Sequence, residues 1–224
     1  MRINRTFYIA MLLVSALFGL VACSEDDNTT NEFANWQQRN DDYFASVYAK
    51  AQANSDGKWL ILPSWTVNDS VAALSPMSNV VVHIITEGTG TACPIYTDSV
   101  QVHYRGRLIP SDNYPDGWTF DQSFTGNYNA DLMTPAKMAV ANTVTGFATA
   151  LQYMKIGDRW EIYIPYGLGY GESDYTASSS SSTIPGGSNL IFDLTLVGFH
   201  HPGETATTTR ALGRQKQAGY WVTK

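Results

Sequence analysis

The chain has 224 residues, with 14 Lys and Arg against 20 Asp and Glu, a formal net charge of -6 at pH 7. A surface of that sign repels a phosphate backbone and argues against nucleic acid as a partner. Hydrophobic residues make up 44% of the chain and cysteine occurs only twice, a globular composition with no disulfide framework.

Arg2 and Arg5 precede an apolar run from Phe7 to Val21. The run is shorter than the roughly 20 residues a spanning helix needs, and with its basic start it predicts a secretory leader over residues 1–22. It ends in Leu20-Val21-Ala22-Cys23, which resembles the cleavage box of bacterial lipoproteins. That resemblance implies lipidation of Cys23, attachment to the membrane through the lipid, and an outer-membrane lipoprotein on the periplasmic or cell-surface side. Ser24-Glu25-Asp26-Asp27 follows. It resembles the surface-export signal of Bacteroidetes-type lipoproteins and reads equally as a solvated linker. Residues 23–31 form an acidic, flexible linker on either reading. Cys93 then stands alone in the turn EGTGTACP, with no histidine–carboxylate pair nearby in sequence, and reads as a bystander thiol.

Residues 32–75 read as an N-terminal arm. Trp36, Tyr43 and Val47 recur at helical spacing within Asn35–Gln52, with Phe44 and Tyr48 beside them. Lys58–Trp65 is a short extended piece interrupted by Pro63, and Thr66–Ser78 is a loop. The aromatic stripe either packs on the following domain or makes a dimer, and packing on its own domain is the commoner use.

From Asn79 the period changes to two. Val80, Val82 and Ile84 alternate with Val81, His83 and Ile85; Val100, Val102 and Tyr104 lie on one face of Ser99–Leu108, followed by Gly106 and Leu108. Trp118–Phe124 and Lys137–Ala141 are each compatible with a strand. Thr145–Met154 is a short helix, with Phe147, Leu151 and Met154 on one face and Gly157 ending it. In Arg159–Pro165, Trp160, Ile162 and Ile164 point inward and Arg159, Glu161 and Tyr163 outward. Asn189–Val197 places Leu190, Phe192, Leu194 and Leu196 on one face. The pattern is α+β: a mostly antiparallel sheet wrapped on one short helix. The tail from His201 to Lys224 is polar, threonine-rich and without a period.

Three stretches carry the chemistry: VQVHYRGRLIPSDNYPDGWTFDQSF (Val100–Phe124), VTGFATALQYMKIGDRWEIYIPYGLGYG (Val144–Gly171) and IPGGSNLIF (Ile184–Phe192). They supply aromatics and one carboxylate without a nucleophile–base pair, a set suited to binding and twisting a peptide bond rather than breaking one. In order, they resemble an FKBP-type peptidyl-prolyl cis-trans isomerase domain, and the resemblance spans residues 79–198, within a domain placed at 76–200. It implies a five- or six-stranded antiparallel sheet curled around one helix, a pocket between them, and no cofactor or metal. It further implies proline-containing polypeptides as substrates and macrolide inhibitors as ligands of the same pocket.

Carried over by motif position, Phe147 is the floor under the proline ring. Tyr104, Phe120 and Phe192 are the walls, and Asp121 sits at the rim beside Tyr104. The Tyr170 hydroxyl and the Val144 backbone N–H bind substrate carbonyls. Ile184 caps the pocket, and the serine-bearing loop from Glu172 to Thr183 overhangs it. The chain departs from the family at the floor, where Phe147 replaces tryptophan. It departs again in TPAKM, which offers only Met138 or Met133 for a family phenylalanine, and at Leu168, which replaces a common aromatic. Taken singly, Phe147, Phe192 and Tyr104 read as core residues, and Asp121 as a turn carboxylate. His103, opposite in sense to Tyr104, reads as a surface histidine, and Asp158 and Glu161 as solvated strand-face charges. His83, His103, His200 and His201 lack metal-ligand spacing.

The expected function is therefore a lipid-anchored prolyl isomerase that assists folding in the cell envelope. Two alternatives stand beside it: a proline-peptide-binding module without catalysis, and a surface-binding lipoprotein that uses the fold as a scaffold.

Overall fold

The computed structural model describes residues 32–67, 75–177, 182–203 and 219–223. The leader, Cys23 and the acidic linker lie outside the described residues, as does part of the serine loop. No helix among the described residues is long and apolar enough to cross a membrane.

Helix α1 (Trp36–Ala53) ends at Asn54, whose φ of 40° is the left-handed conformation that asparagine tolerates, and whose N–H donates to the Lys50 carbonyl. The Asn54 side chain accepts from the Trp59 N–H at 2.9 Å, turning the chain directly into β1 (Trp59–Pro63). β1 is an edge strand, where a proline such as Pro63 is tolerated.

The remaining elements are β2 (Asn79–Thr86), β3 (Ser99–Arg107), β4 (Thr119–Gln122), β5 (Ala136–Ala139), α2 (Thr145–Tyr153), β6 (Arg159–Ile164), β7 (Tyr175–Thr176), β8 (Thr183–Ile184), β9 (Leu190–His201) and β10 (Tyr220–Thr223). The main sheet runs β1-β2-β6-β9-β3-β4, with β5 on β3 and β10 on β9, and every pair is antiparallel. Removing β1 and β10, which lie outside residues 76–200, leaves six strands, within the expected five or six. β7 and β8 form a separate hairpin.

The sheet has a helix on each face. Val80, Val82, Ile162, Leu190, Leu194 and Leu196 are buried on the inner face with Leu151 of α2 and Met154 just after it. On the outer face Ile61, Val81, Tyr163 and Ile191 stand in register across four strands. They pack under Trp36, Phe44, Val47 and Ala51 of α1. Of the two uses open to the arm, packing on its own domain is the one observed.

Several outward-facing expectations are corrected. Tyr163 is buried, its hydroxyl donating to Glu161, which also pairs with Arg107. Arg159 makes a two-bond pair with Asp193 at 2.9 and 2.6 Å. Asp158 is buried as well, accepting the backbone N–H groups of Gly88 and Lys155, each at 2.6 Å. His103 is 2% exposed, roofed by Phe124 and Tyr128 of the loop that follows β4. Period two assigns a residue to a face; it does not say whether another element covers that face.

The tail holds a second difference. β9 continues to His201, past the end of β6, and its free edge pairs with Tyr220–Thr223 in the register Tyr220↔His201 to Thr223↔Gly198. An exposed run of backbone donors and acceptors recruits whatever extended segment reaches it, so the absence of a period in the tail did not preclude a strand.

Candidate functional site

The inward positions of β3 read Val100, Val102, Tyr104, Gly106, and the last of these opens the site. Gly106 lies across from Phe192 on β9 and Asp121 on β4. A Cβ there would stand 2.5 Å from the Phe192 ring and 2.7 Å from the Phe120 ring. The missing side chain is thus the space the two phenyl rings occupy, and they meet edge to face with centroids 5.6 Å apart.

Phe147, in the first turn of α2, closes the floor. Its ring meets Phe192 at 5.0 Å and 75°, and Tyr104 at 6.2 Å and 83°. Edge-to-face contacts set the positive rim of one ring against the negative face of the next, which fixes the rings relative to one another. Phe147 and Phe192 are 4% and 5% exposed, whereas Tyr104 and Phe120 are half-buried. The result is a box with a dry floor and one open side.

Polar groups stand at its rim. The Tyr104 hydroxyl donates to Asp121 Oδ2 at 2.9 Å, and the Tyr104 backbone is held by Ser123, whose Oγ accepts the Tyr104 N–H at 2.8 Å. Burial, the Asp121 carboxylate and the hydrogen bond to it push the Tyr104 phenol far above its ordinary value. Tyr170 follows the tight turn Tyr166–Leu168 and stacks on Tyr175 at 3.9 Å and 10°. Burial, then Tyr175 and Asp121, push its phenol up to about 12. At neutral pH both tyrosines are therefore neutral O–H donors. Val144 is the N-cap of α2, where first-turn N–H groups have no intrahelical partner.

Tyr104, Asp121, Val144, Phe147, Tyr170 and Phe192 line one cavity of about 210 Å³. Phe120 and Ile184 line an adjoining cavity of about 130 Å³ that shares Asp121, Tyr170 and Tyr175 with the first. All eight fold residues singled out in the sequence thus meet at one place. The sequence reading passed over Tyr175, Asn142 and Thr143, which also line the cavity. Tyr175 carries no periodic signal; only its short distance from Tyr170 within the loop could have marked it. Met138, one of two candidates for the family's phenylalanine, lines the larger cavity.

Other reactive groups are engaged elsewhere. His83 meets Asp56 at 3.0 Å and His201 meets Asp98 at 2.7 Å. Burial raises the Cys93 thiol, whose Sγ contacts the Tyr153 carbonyl at 3.5 Å. Among the described residues no group of three or more His, Cys, Asp or Glu is placed to hold a metal ion.

Residues 91–197, which contain every pocket residue named here, match the family model of the FKBP-type peptidyl-prolyl cis-trans isomerase. The match takes in a little under half of the chain. The chain is 33% identical over 130 residues to the macrophage infectivity potentiator of Trypanosoma cruzi, covering 58% of each. It is 37% identical over 123 residues to the FKBP-type 22 kDa peptidyl-prolyl cis-trans isomerase of Escherichia coli (strain K12), covering 55% of this chain and 51% of that one. It thus spans little more than half the length of these relatives. A solved peptidyl-prolyl cis-trans isomerase from Pseudomonas syringae aligns with a TM-score of 0.47 at 24% identity, over 71% of this chain and 92% of that one.

Proposed function

We propose that this chain is a peptidyl-prolyl cis-trans isomerase acting on exposed X–Pro bonds of polypeptides. The observation that carries the reading is the aromatic box, Tyr104, Phe147 and Phe192, with neutral O–H donors at its open side. Rotation about the prolyl amide is opposed by a barrier of about 18–20 kcal/mol that comes from amide resonance. Twisting the bond removes the charge-separated resonance form and leaves a less polar carbonyl. A site that excludes water favours that state over the planar amide. The pyrrolidine ring rests on Phe147 between Tyr104 and Phe192. The Tyr170 hydroxyl and the Val144 N–H orient the flanking carbonyls, and Asp121 fixes the Tyr104 ring through its hydroxyl. No step needs proton transfer, which agrees with phenols held in their neutral form. The same box accommodates macrolide inhibitors.

The test is the cis-to-trans rate of X–Pro tetrapeptides with residues 24–224, beside a Tyr170→Phe/Asp121→Ala variant. Acceleration by the parent and its loss in the variant is the expected result. No acceleration with any X, from a folded protein, overturns the catalytic reading and leaves a proline-peptide-binding module, the role toward which Phe147 in place of tryptophan points.

We further infer from Leu20–Cys23 and the acidic run after it that Cys23 carries lipid and tethers the domain to the outer membrane, on its periplasmic or cell-surface side. Palmitate labelling of the wild type that disappears in Cys23→Ala supports this; labelling retained in the variant refutes it.

A further inference from the structure

α1 touches more than the back of the sheet. Asn40, in the middle of its buried stripe, is fully buried. Its side-chain amide donates to the Trp36 carbonyl at 2.8 Å, and its Oδ1 accepts the Asn189 N–H at 2.8 Å. The Asn40 carbonyl accepts from Asn189 Nδ2 at 2.6 Å, and Asn189 Oδ1 accepts the Tyr166 N–H at 3.0 Å. One turn earlier, Trp36 Nε1 donates to Ser188 Oγ at 2.7 Å, and that hydroxyl donates to the Pro185 carbonyl at 2.6 Å. Between these anchors Gly187, at φ 71°, lies so close to the helix that a Cβ would stand 3.1 Å from Gln37 Cγ. The Gly187 N–H donates to the Gly171 carbonyl at 3.0 Å.

These bonds form one connected path. It runs from the outer helix into the loop after Ile184, and from there into both ends of the turn that carries Tyr170. Packing on the sheet requires only an apolar stripe. A buried asparagine with its amide spent on a loop and on its own helix is an expensive substitute for a leucine unless it fixes geometry.

We propose that Trp36 and Asn40 are positioning residues of the pocket. α1 clamps the Pro185–Asn189 loop and through it the Tyr166–Gly171 turn, and so sets the places of Ile184 and Tyr170. The kinetic part of this inference rests on the isomerase reading; the structural part does not. With the clamp released, the two segments sample other positions, and a ligand must first select the ordered one. Apparent affinity then falls in proportion to the fraction that is ordered, while the rate of the bound complex is preserved.

The test uses the full chain as Asn40→Ala and, as a milder variant that keeps an aromatic ring at the helix start, Trp36→Phe. Three quantities are measured: amide hydrogen exchange, affinity for a prolyl tetrapeptide, and KM and kcat for its isomerisation. We expect the amides of Tyr166, Gly187 and Asn189 to exchange at least about tenfold faster, with Ile162 and Leu194 in the central strands unchanged. Peptide affinity should weaken by about tenfold and KM rise in parallel, with kcat within about twofold of wild type. Unchanged exchange and unchanged affinity in both variants overturns the proposal. So does faster exchange in both variants that extends equally to Ile162 and Leu194, because the helix is then a general prop. If the wild type binds peptide without catalysing, while the variants loosen the loops and weaken binding, the isomerase reading fails and the positioning role stands.

Discussion

At the scale of single residues, the pocket depends on one absent side chain as much as on those present. Gly106→Ala places a methyl group within van der Waals overlap of Phe192 and Phe120, both of which are fixed by other rings. Overpacking of a tight site costs about 1–3 kcal/mol. The variant should therefore lose that amount of unfolding free energy in urea denaturation and isomerise X–Pro peptides more slowly, since the Phe192 ring also packs on Phe147. A stable Gly106→Ala protein with full activity would show that the box is more plastic than its edge-to-face geometry implies. His103 carries the opposite lesson. Among the described residues its buried Nδ1 has no hydrogen-bond partner under Phe124 and Tyr128, and burial lowers its affinity for a proton. Its folded value lies below its unfolded value of about 6.5. The unfolded chain therefore binds more protons as pH falls, and this residue's contribution to stability is lost progressively below about pH 6.5. Urea unfolding at pH 7 and pH 5 should show a smaller decline for His103→Phe than for the wild type; equal declines would remove His103 as a cause.

At the scale of elements, the sheet works as a partition between two helices with different duties. α2 supplies the floor of the pocket and the inner core, while α1 covers the reverse face and reaches the loop that leads into β9. Phe44 lies at the centre of that outer contact and is 1% exposed. Truncating a buried phenylalanine costs about 3–5 kcal/mol, so Phe44→Ala should lower the unfolding free energy by that amount in chemical denaturation. A loss under 1 kcal/mol would mean that α1 adheres mainly through its polar anchors. The helical stripe itself was visible in the spacing of Trp36, Tyr43 and Val47. The register was not: the structure buries Asn40 with Trp36, Phe44, Val47 and Ala51. A polar residue enters a core only when its partners wait there, and the partner of Asn40 is Asn189, 149 positions away. Nothing local announces such a pair.

At the scale of the whole molecule, the described residues bring aromatic rings, two phenols and one carboxylate together on an acidic chain. By itself the sequence determined the α+β class, most of the strands, the short helix and the eight pocket residues. Alternation of period two and helical spacing are local, and the ordered motifs hold the residues that line the two cavities. The tertiary structure alone decided which faces are covered. It placed α1 over Tyr163, folded the loop after β4 over His103, drew Tyr220–Thr223 onto the free edge of β9 and stacked Tyr175 on Tyr170. Each of these joins segments far apart in sequence or set by loop conformation. Burial is a property of what arrives from elsewhere, which local periodicity does not encode.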